Sequence, residues 1–217
     1  MALPSFRPTR ETSFLLEALR AASLVLRHAA PSAGRRVKSD RTPVTAADFA
    51  VQAVWARLLE RAFPDDVIVA EENAGVLRPP ESADLLREVV GLVRLVFPEA
   101  GADPVLAWLD RGLGQPAPRF WTLDPVDGTK GLLRGGQYAA VLALIEQGEV
   151  ALGGMACPRY PDDAGGGSFA IAARGQGAWR AASLDGAWHR LNVSEESEPA
   201  QARLLQAVLP PRQRQRA

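Results

Sequence analysis

The periodicity of the apolar residues changes near Phe120, and this change limits the folds that the chain can adopt. Before it, apolar residues recur at helical spacing over residues 12–30, 45–63 and 82–97, with a shorter helical pattern over 104–109. After it, short apolar runs are separated by Gly-Gln-Gly and Asp-Gly turns, as is typical of strands. Helices followed by a strand-rich segment predict an α+β fold, with helices stacked on a mostly antiparallel sheet.

Seven short segments have the composition of strands. The predicted strands over residues 138–145 and 149–155 are joined by Gln147-Gly148, which is a signal for a two-residue turn. At the start of the second helix, Thr45 is a predicted N-cap, with Asp48 three residues later in the reciprocal capping position. The predicted strands cover residues 67–70, 120–123, 138–145, 149–155, 168–173, 178–182 and 188–193.

Composition excludes several classes of protein. Lys+Arg and Asp+Glu both number 25, so the formal net charge is zero, which argues against a basic nucleic-acid-binding protein. The single cysteine, Cys157, rules out an internal disulfide and a cysteine-based zinc site. The first residues lack the apolar core of a secretory signal, and the longest apolar run, 138–145, is too short to span a membrane. We therefore expect a cytoplasmic protein with neither nucleic-acid nor membrane partners.

The segment Asp124-Pro-Val-Asp-Gly-Thr contains the residues best suited to chemistry. Its two carboxylates, on Asp124 and Asp127, lie three residues apart at the end of a predicted strand, where α/β folds commonly place a ligand. Pro125 stiffens the turn and Gly128 permits an unusual backbone conformation. Hard oxygen donors without nearby His or Cys favour Mg²⁺. Together with Glu71, which also follows a strand, they resemble a two-metal site for phosphate-ester hydrolysis.

Competing motif classes fit this segment less well. Aspartyl-phosphate phosphatases need Asp-x-Asp, and aspartic proteases use Asp-Thr-Gly rather than Asp-Gly-Thr. The chain has no Gly-x-x-x-x-Gly-Lys loop, and Gly175-Gln-Gly177 lacks the third glycine of a dinucleotide-binding loop. A plain Asp-Pro turn with an exposed pair of acids remains an alternative for the segment taken alone.

Three segments together resemble, in order and spacing, the inositol monophosphatase superfamily. They are Lys-Ser-Asp-Arg-Thr-Pro-Val-Thr-Ala-Ala-Asp at 38–48, Val-Ala-Glu-Glu at 69–72, and the long segment 124–139. The third, continuing through Ala-Cys-Pro at 156–158, is most similar to the 3′(2′),5′-bisphosphate nucleotidases. The resemblance implies the layered α/β sugar-phosphatase fold, shared with fructose-1,6-bisphosphatases.

The resemblance also implies a metal site for two or three Mg²⁺ ions. Glu71, Asp124 and the main-chain carbonyl of Val126 would hold the first ion, and Asp124 and Asp127 would share the second. Asp48 would recruit a further ion through the loop that precedes it.

Catalytic and substrate-binding roles follow from the same resemblance. Thr129 and Asp48 would activate the attacking water, while the backbone amides of Gly128 and Thr129 would bind the phosphate. Lys130 is expected to contact phosphate; it and Lys38 are the only lysines in the chain, and pairing with neighbouring acids is the alternative for both. The expected substrate is a small phosphate ester, 3′-phosphoadenosine 5′-phosphate, which gives AMP and inorganic phosphate.

Two alternatives to this function remain open. One is an inositol- or sugar-phosphate phosphatase of the same superfamily. The other arises because the family's downstream Trp-Asp-x-Ala-Ala-Gly run does not occur. We therefore expect a metal-binding region over 1–158, an incomplete second subdomain over 159–209 and a disordered basic tail over 210–217. Such a chain is either an enzyme or a catalytically incompetent half-domain or pseudoenzyme, and its oligomeric state is left open.

Overall fold

The computed structural model describes residues 9–29, 36–37, 43–160 and 167–203. Lys38, the following residues 39–42 of the predicted loop, and the predicted basic tail over 210–217 lie outside these ranges. None of the helices within them is both long and apolar enough to cross a membrane.

The described residues form helices and a mixed sheet, which confirms the predicted α+β class. The helices, named in chain order, are α1 (Arg10–His28), α2 (Ala46–Ala62), α3 (Ala83–Val93), α4 (Ala102–Asp110) and α5 (Thr129–Leu133), with 3₁₀ turns at Ala74–Val76, Pro80–Ser82 and Pro199–Gln201. The strands are β1 (Arg36–Val37), β2 (Pro43–Val44), β3 (Val67–Val69), β4 (Arg119–Asp127), β5 (Ala139–Glu146), β6 (Glu149–Cys157), β7 (Ser168–Ala173), β8 (Gly177–Ala181) and β9 (His189–Leu191).

Seven strands make one sheet in chain order, from β3 to β9. Only β3 and β4 are parallel; every later neighbour is antiparallel, as predicted. The β5–β6 turn has Gln147 and Gly148 both in the left-handed region, at φ 53° and 78°. That geometry suits the twist of a tight hairpin and confirms the turn predicted there.

Helices α1 and α2 pack together, and α1 also lies against β6 and β5. The indole Nε1 of Trp55, a fully buried residue of α2, donates to the carbonyl of Ala18 in α1 at 2.7 Å. The ring of Phe14 in α1 meets Trp121 of β4 edge-on, with centroids 4.8 Å apart. Burial of these rings fixes α1 and α2 on the sheet.

Strand β3 is held on both sides. It pairs with β4 on one side, while on the other Ala70 N–H donates to the Gly112 carbonyl at 2.9 Å and Gly114 N–H donates to Ile68 at 3.2 Å. A Cβ on Gly114 would lie 2.5 Å from the Ile68 carbonyl oxygen, so this close approach requires glycine. The end of β3 is therefore fixed in place.

Strand β4 is longer than the sequence indicated. We expected it to end at Leu123 and to place both aspartates beyond it, but it continues through Asp127. Its pairing with β5 shifts register between Asp124 and Asp127, around Pro125. Proline has no N–H for the ladder, so an irregularity of this kind is where a strand can accept it.

Candidate active site

The parallel pairing of β3 with β4 puts Glu71 and Asp124 at equivalent positions along their chains, just past the last paired residues. Val69 pairs with Thr122, and each carboxylate lies two residues further along its own chain. Glu71 and Asp127 are exposed and Asp124 is half-buried. Three of the predicted metal ligands therefore follow the β3–β4 pairing along the chain, and none of them is fully buried.

The turn after Asp124 is held by its own side chains. Val126 N–H donates to Asp124 Oδ1 at 3.1 Å, and the Thr129 hydroxyl donates to the Val126 carbonyl at 3.0 Å. Gly128 has φ 85°, the left-handed conformation for which glycine was expected. Carboxylate and carbonyl oxygens, as on Asp124 and Val126, are the hard donors that Mg²⁺ takes in proteins.

Asp48 lies in the first turn of α2 and is only 4% exposed. Its Oδ2 accepts from Thr45 twice, from the backbone N–H at 2.8 Å and from the hydroxyl at 2.7 Å. Burial raises the pKa of Asp48 to about 7; the Thr45 hydrogen bonds oppose this and the nearby Glu72 charge adds to it. A carboxyl group that titrates near neutral pH is suited to proton transfer.

Helix α5 carries the remaining predicted residues. Thr129 is half-buried, while Gly128 and Lys130 are exposed. Helix α5 contacts β2, the strand that leads through Thr45 into α2. The two halves of the candidate site, one at Asp48 and one at Thr129, therefore belong to neighbouring elements.

The contact between Gln52 and Glu72 was not predicted from the sequence. Gln52 is completely buried, one turn after Asp48 in α2. Its Nε2 donates to the Glu72 carbonyl at 2.5 Å, and its Oε1 accepts from the Glu72 N–H at 2.9 Å. The available signal was a polar residue within an otherwise apolar stretch of α2, four residues after Asp48.

The donors present limit the kind of metal that fits. Across the described part of the chain, no group of three or more Asp, Glu, His or Cys side chains is arranged to hold a metal ion. Mg²⁺ commonly takes only one or two protein carboxylates and completes its shell with water and substrate phosphate. Glu71 and Asp124 are the candidate pair of hard oxygen donors. The site fits Mg²⁺ shared with water and phosphate better than a metal enclosed by side chains.

Comparison with known proteins gives the same family that the motifs suggested. The chain matches the model of the inositol monophosphatase family over residues 8–217. It is 42% identical over 140 residues to a 3′(2′),5′-bisphosphate nucleotidase of Emericella nidulans, covering 58% of this chain and 39% of that protein. It is 37% identical over 189 residues to a probable 3′(2′),5′-bisphosphate nucleotidase of Arabidopsis thaliana, covering 79% of this chain and 54% of that protein.

Solved structures show the same fold. A Thermotoga maritima IMPase superposes with a TM-score of 0.58 at 22% identity, covering 86% of this chain and 55% of that one. The inositol monophosphatase from Anabaena superposes with a TM-score of 0.51 at 23% identity, covering 88% of this chain and 53% of that one. The chain thus spans only about half of these structures, and about two-fifths of the Emericella nucleotidase.

Proposed function

The chain belongs to the inositol monophosphatase family, and on that basis we propose that it is a Mg²⁺-dependent phosphatase that removes the 3′-phosphate of 3′-phosphoadenosine 5′-phosphate. The products are AMP and inorganic phosphate. The names of relatives about 40% identical support the substrate. The observation that supports the proposal is the parallel pairing of β3 with β4, which puts Glu71 and Asp124 at equivalent positions just past the paired residues.

The proposed metal ligands come from the segment after β3, from β4 and from the start of α2. Glu71, Asp124 and the Val126 carbonyl would hold one ion, Asp124 and Asp127 would hold a second, and Asp48 would take part in a third. Divalent cations held by these residues would supply a lower pKa for the attacking water and positive charge opposite the phosphate.

The chain's own residues orient the reactants and move the proton. Thr45 occupies Oδ2 of Asp48, so Oδ1 is the atom that accepts the proton of the attacking water. The Thr129 hydroxyl donates to Val126, which leaves its oxygen to accept a hydrogen bond from that water. The backbone N–H groups of Gly128 and Thr129, with the exposed ammonium of Lys130, bind the phosphate oxygens.

Phosphate release from 3′-phosphoadenosine 5′-phosphate, measured with and without Mg²⁺, tests the proposal. Asp124→Asn should abolish Mg²⁺-dependent release, whereas Asp84→Asn, at an exposed position of α3, should leave it unchanged. Release no faster than that of Asp124→Asn would mean that the chain is catalytically incompetent. Faster release from inositol or sugar phosphates in the same assay would move the substrate to that class.

A further inference from the structure

Gln52 uses every polar atom of its side chain in the protein interior. Besides the two hydrogen bonds to the backbone of Glu72, its Nε2 lies 3.4 Å from the Leu109 carbonyl and donates to it. The side chain is 0% exposed. A buried primary amide is costly unless satisfied, so this position has a specific requirement for glutamine.

These hydrogen bonds fix the chain on one side of Glu71. On the other side, Ala70 N–H is bound to the Gly112 carbonyl at 2.9 Å. Glu71 therefore lies between two anchored residues although its own side chain is exposed. Anchoring on both sides restricts where its carboxylate can be placed.

Gly112 permits this arrangement. A Cβ there would lie 2.7 Å from Gln52 Nε2 and 2.9 Å from the Ala70 side chain. Contacts that short force a neighbour to move, and the end of the Gln52 side chain is the group most able to do so. The absence of a side chain at residue 112 therefore keeps the amide in position.

The same side chain connects Asp48 to the segment that contains Glu71. Asp48 and Gln52 are four residues apart on α2 and therefore lie on one face of that helix. Asp48 is the candidate proton acceptor, and Gln52 holds the segment that contains Glu71. The distance between the two candidate residues is thus set through a single helix.

We infer that Gln52 is a positioning residue for metal binding, which holds Glu71 where it and Asp124 together take a divalent cation. The inference rests on the proposed function, because it is that proposal which makes Glu71 a metal ligand. Gln52 itself does not touch the ion. It acts through the backbone of Glu72.

Isothermal titration with Mg²⁺ alone, without substrate, tests this inference at a temperature where circular dichroism shows every variant folded. Gln52→Met, similar in size but without hydrogen bonds, should weaken Mg²⁺ binding at least tenfold. Trp55→Phe is the matched control, because it removes a buried hydrogen bond from the same helix on the side facing α1. It should lower thermal stability but leave the affinity unchanged.

Gly112→Ala is a second variant that keeps glutamine but displaces its amide, and it should weaken Mg²⁺ binding in the same direction. Equal Mg²⁺ affinity in the wild type, Gln52→Met and Gly112→Ala would overturn the inference while the proposed function stands. If Gln52→Met does not fold, unchanged Mg²⁺ affinity in Gly112→Ala still overturns the inference. Absence of Mg²⁺ binding by the wild-type chain would instead overturn the proposed metal site, and the role of Gln52 with it.

Discussion

Thr45 donates two hydrogen bonds to one carboxylate oxygen of Asp48: its backbone N–H and its hydroxyl both donate to Oδ2. The pair begins α2 and at the same time holds the candidate proton acceptor. Two donated hydrogen bonds and a helix N-terminus favour the charged carboxylate. Burial opposes them and dominates, so the pKa of Asp48 rises to about 7.

Asp48 should therefore make the stability of the chain depend on pH. Its folded-state pKa, about 7, lies above the ordinary value of 3.8, so the folded chain keeps a proton that the unfolded chain releases. The contribution of this group to the free energy of unfolding is full below pH 4 and is lost as the pH rises through 7. In urea denaturation at pH 8, Asp48→Asn should be more stable than the wild type by an amount on the order of a few kcal/mol.

The amide oxygen that Asp48→Asn introduces can still accept both hydrogen bonds from Thr45. At pH 4 the advantage of Asp48→Asn should shrink, because the wild-type carboxyl is then protonated in the folded chain. Asp84→Asn, at an exposed site, provides the control. A difference between Asp48→Asn and wild type that is the same at pH 4 and pH 8 would contradict the prediction.

Arg119 connects three parts of the fold at the start of β4. Its guanidinium binds Asp66 at 3.0 Å, Glu146 at 2.6 Å and Glu11 at 3.2 Å, which joins the turn before β3, strand β5 and helix α1. Lysine has one ammonium group in place of the planar guanidinium with its several N–H donors, so it cannot bind all three carboxylates in this geometry. We expect Arg119→Lys to lower the free energy of unfolding by about 1–2 kcal/mol, measured by urea denaturation.

Arg87→Lys is the matched control for Arg119→Lys. Arg87 pairs only with Asp84 among the ion pairs described, and both side chains are more than three-quarters exposed, at 78% and 89%. Exposed pairs of this kind contribute little, so the variant should match the wild type to within about 0.5 kcal/mol. Equal losses in the two variants would show that the three-way cluster at Arg119 adds nothing to stability.

Local signals in the sequence were sufficient for much of the fold. Helical periodicity and a capping pair at Thr45 and Asp48 predicted α2 with its first residue, and the structure shows the reciprocal hydrogen bond. Gln147-Gly148 predicted a hairpin in the same way. These features depend on residues within a few positions of one another, so a single sequence contains them.

The features that were not predicted depend on distant residues. Gln52 and Glu72 are 20 positions apart, and no local pattern indicates that they meet. Proline is unfavourable within a strand, so Pro125 taken alone indicated that β4 ends before it. The strand nevertheless continues past Pro125, because β5 pairs with it on both sides of the irregularity. Likewise, Glu71 and Asp124 were both expected after strand ends, but their equivalent positions along the chain depend on the parallel register of β3 and β4.

Gly131 and Gly91 are both helical glycines, and replacing each by alanine should change the stability of the chain in opposite directions. A Cβ on Gly131 in α5 would lie 1.9 Å from the Gln137 carbonyl oxygen, whereas one on Gly91 in α3 would meet nothing within 4 Å. Gly91→Ala should therefore stabilise the chain by about 0.5–1 kcal/mol through helix propensity. Gly131→Ala should destabilise it by at least about 2 kcal/mol despite the same gain, because the backbone at Gln137 must move.

The same movement would shift α5, which begins with Thr129. Under the proposed function, Gly131→Ala should therefore also reduce Mg²⁺-dependent phosphate release at temperatures where the chain is folded, while Gly91→Ala should leave it unchanged. Thermal denaturation and the phosphate assay measure the two effects separately. An increase in stability for both variants would show that α5 and the segment at Gln137 can separate at little cost, and that the turn at Gly128 does not depend on their contact.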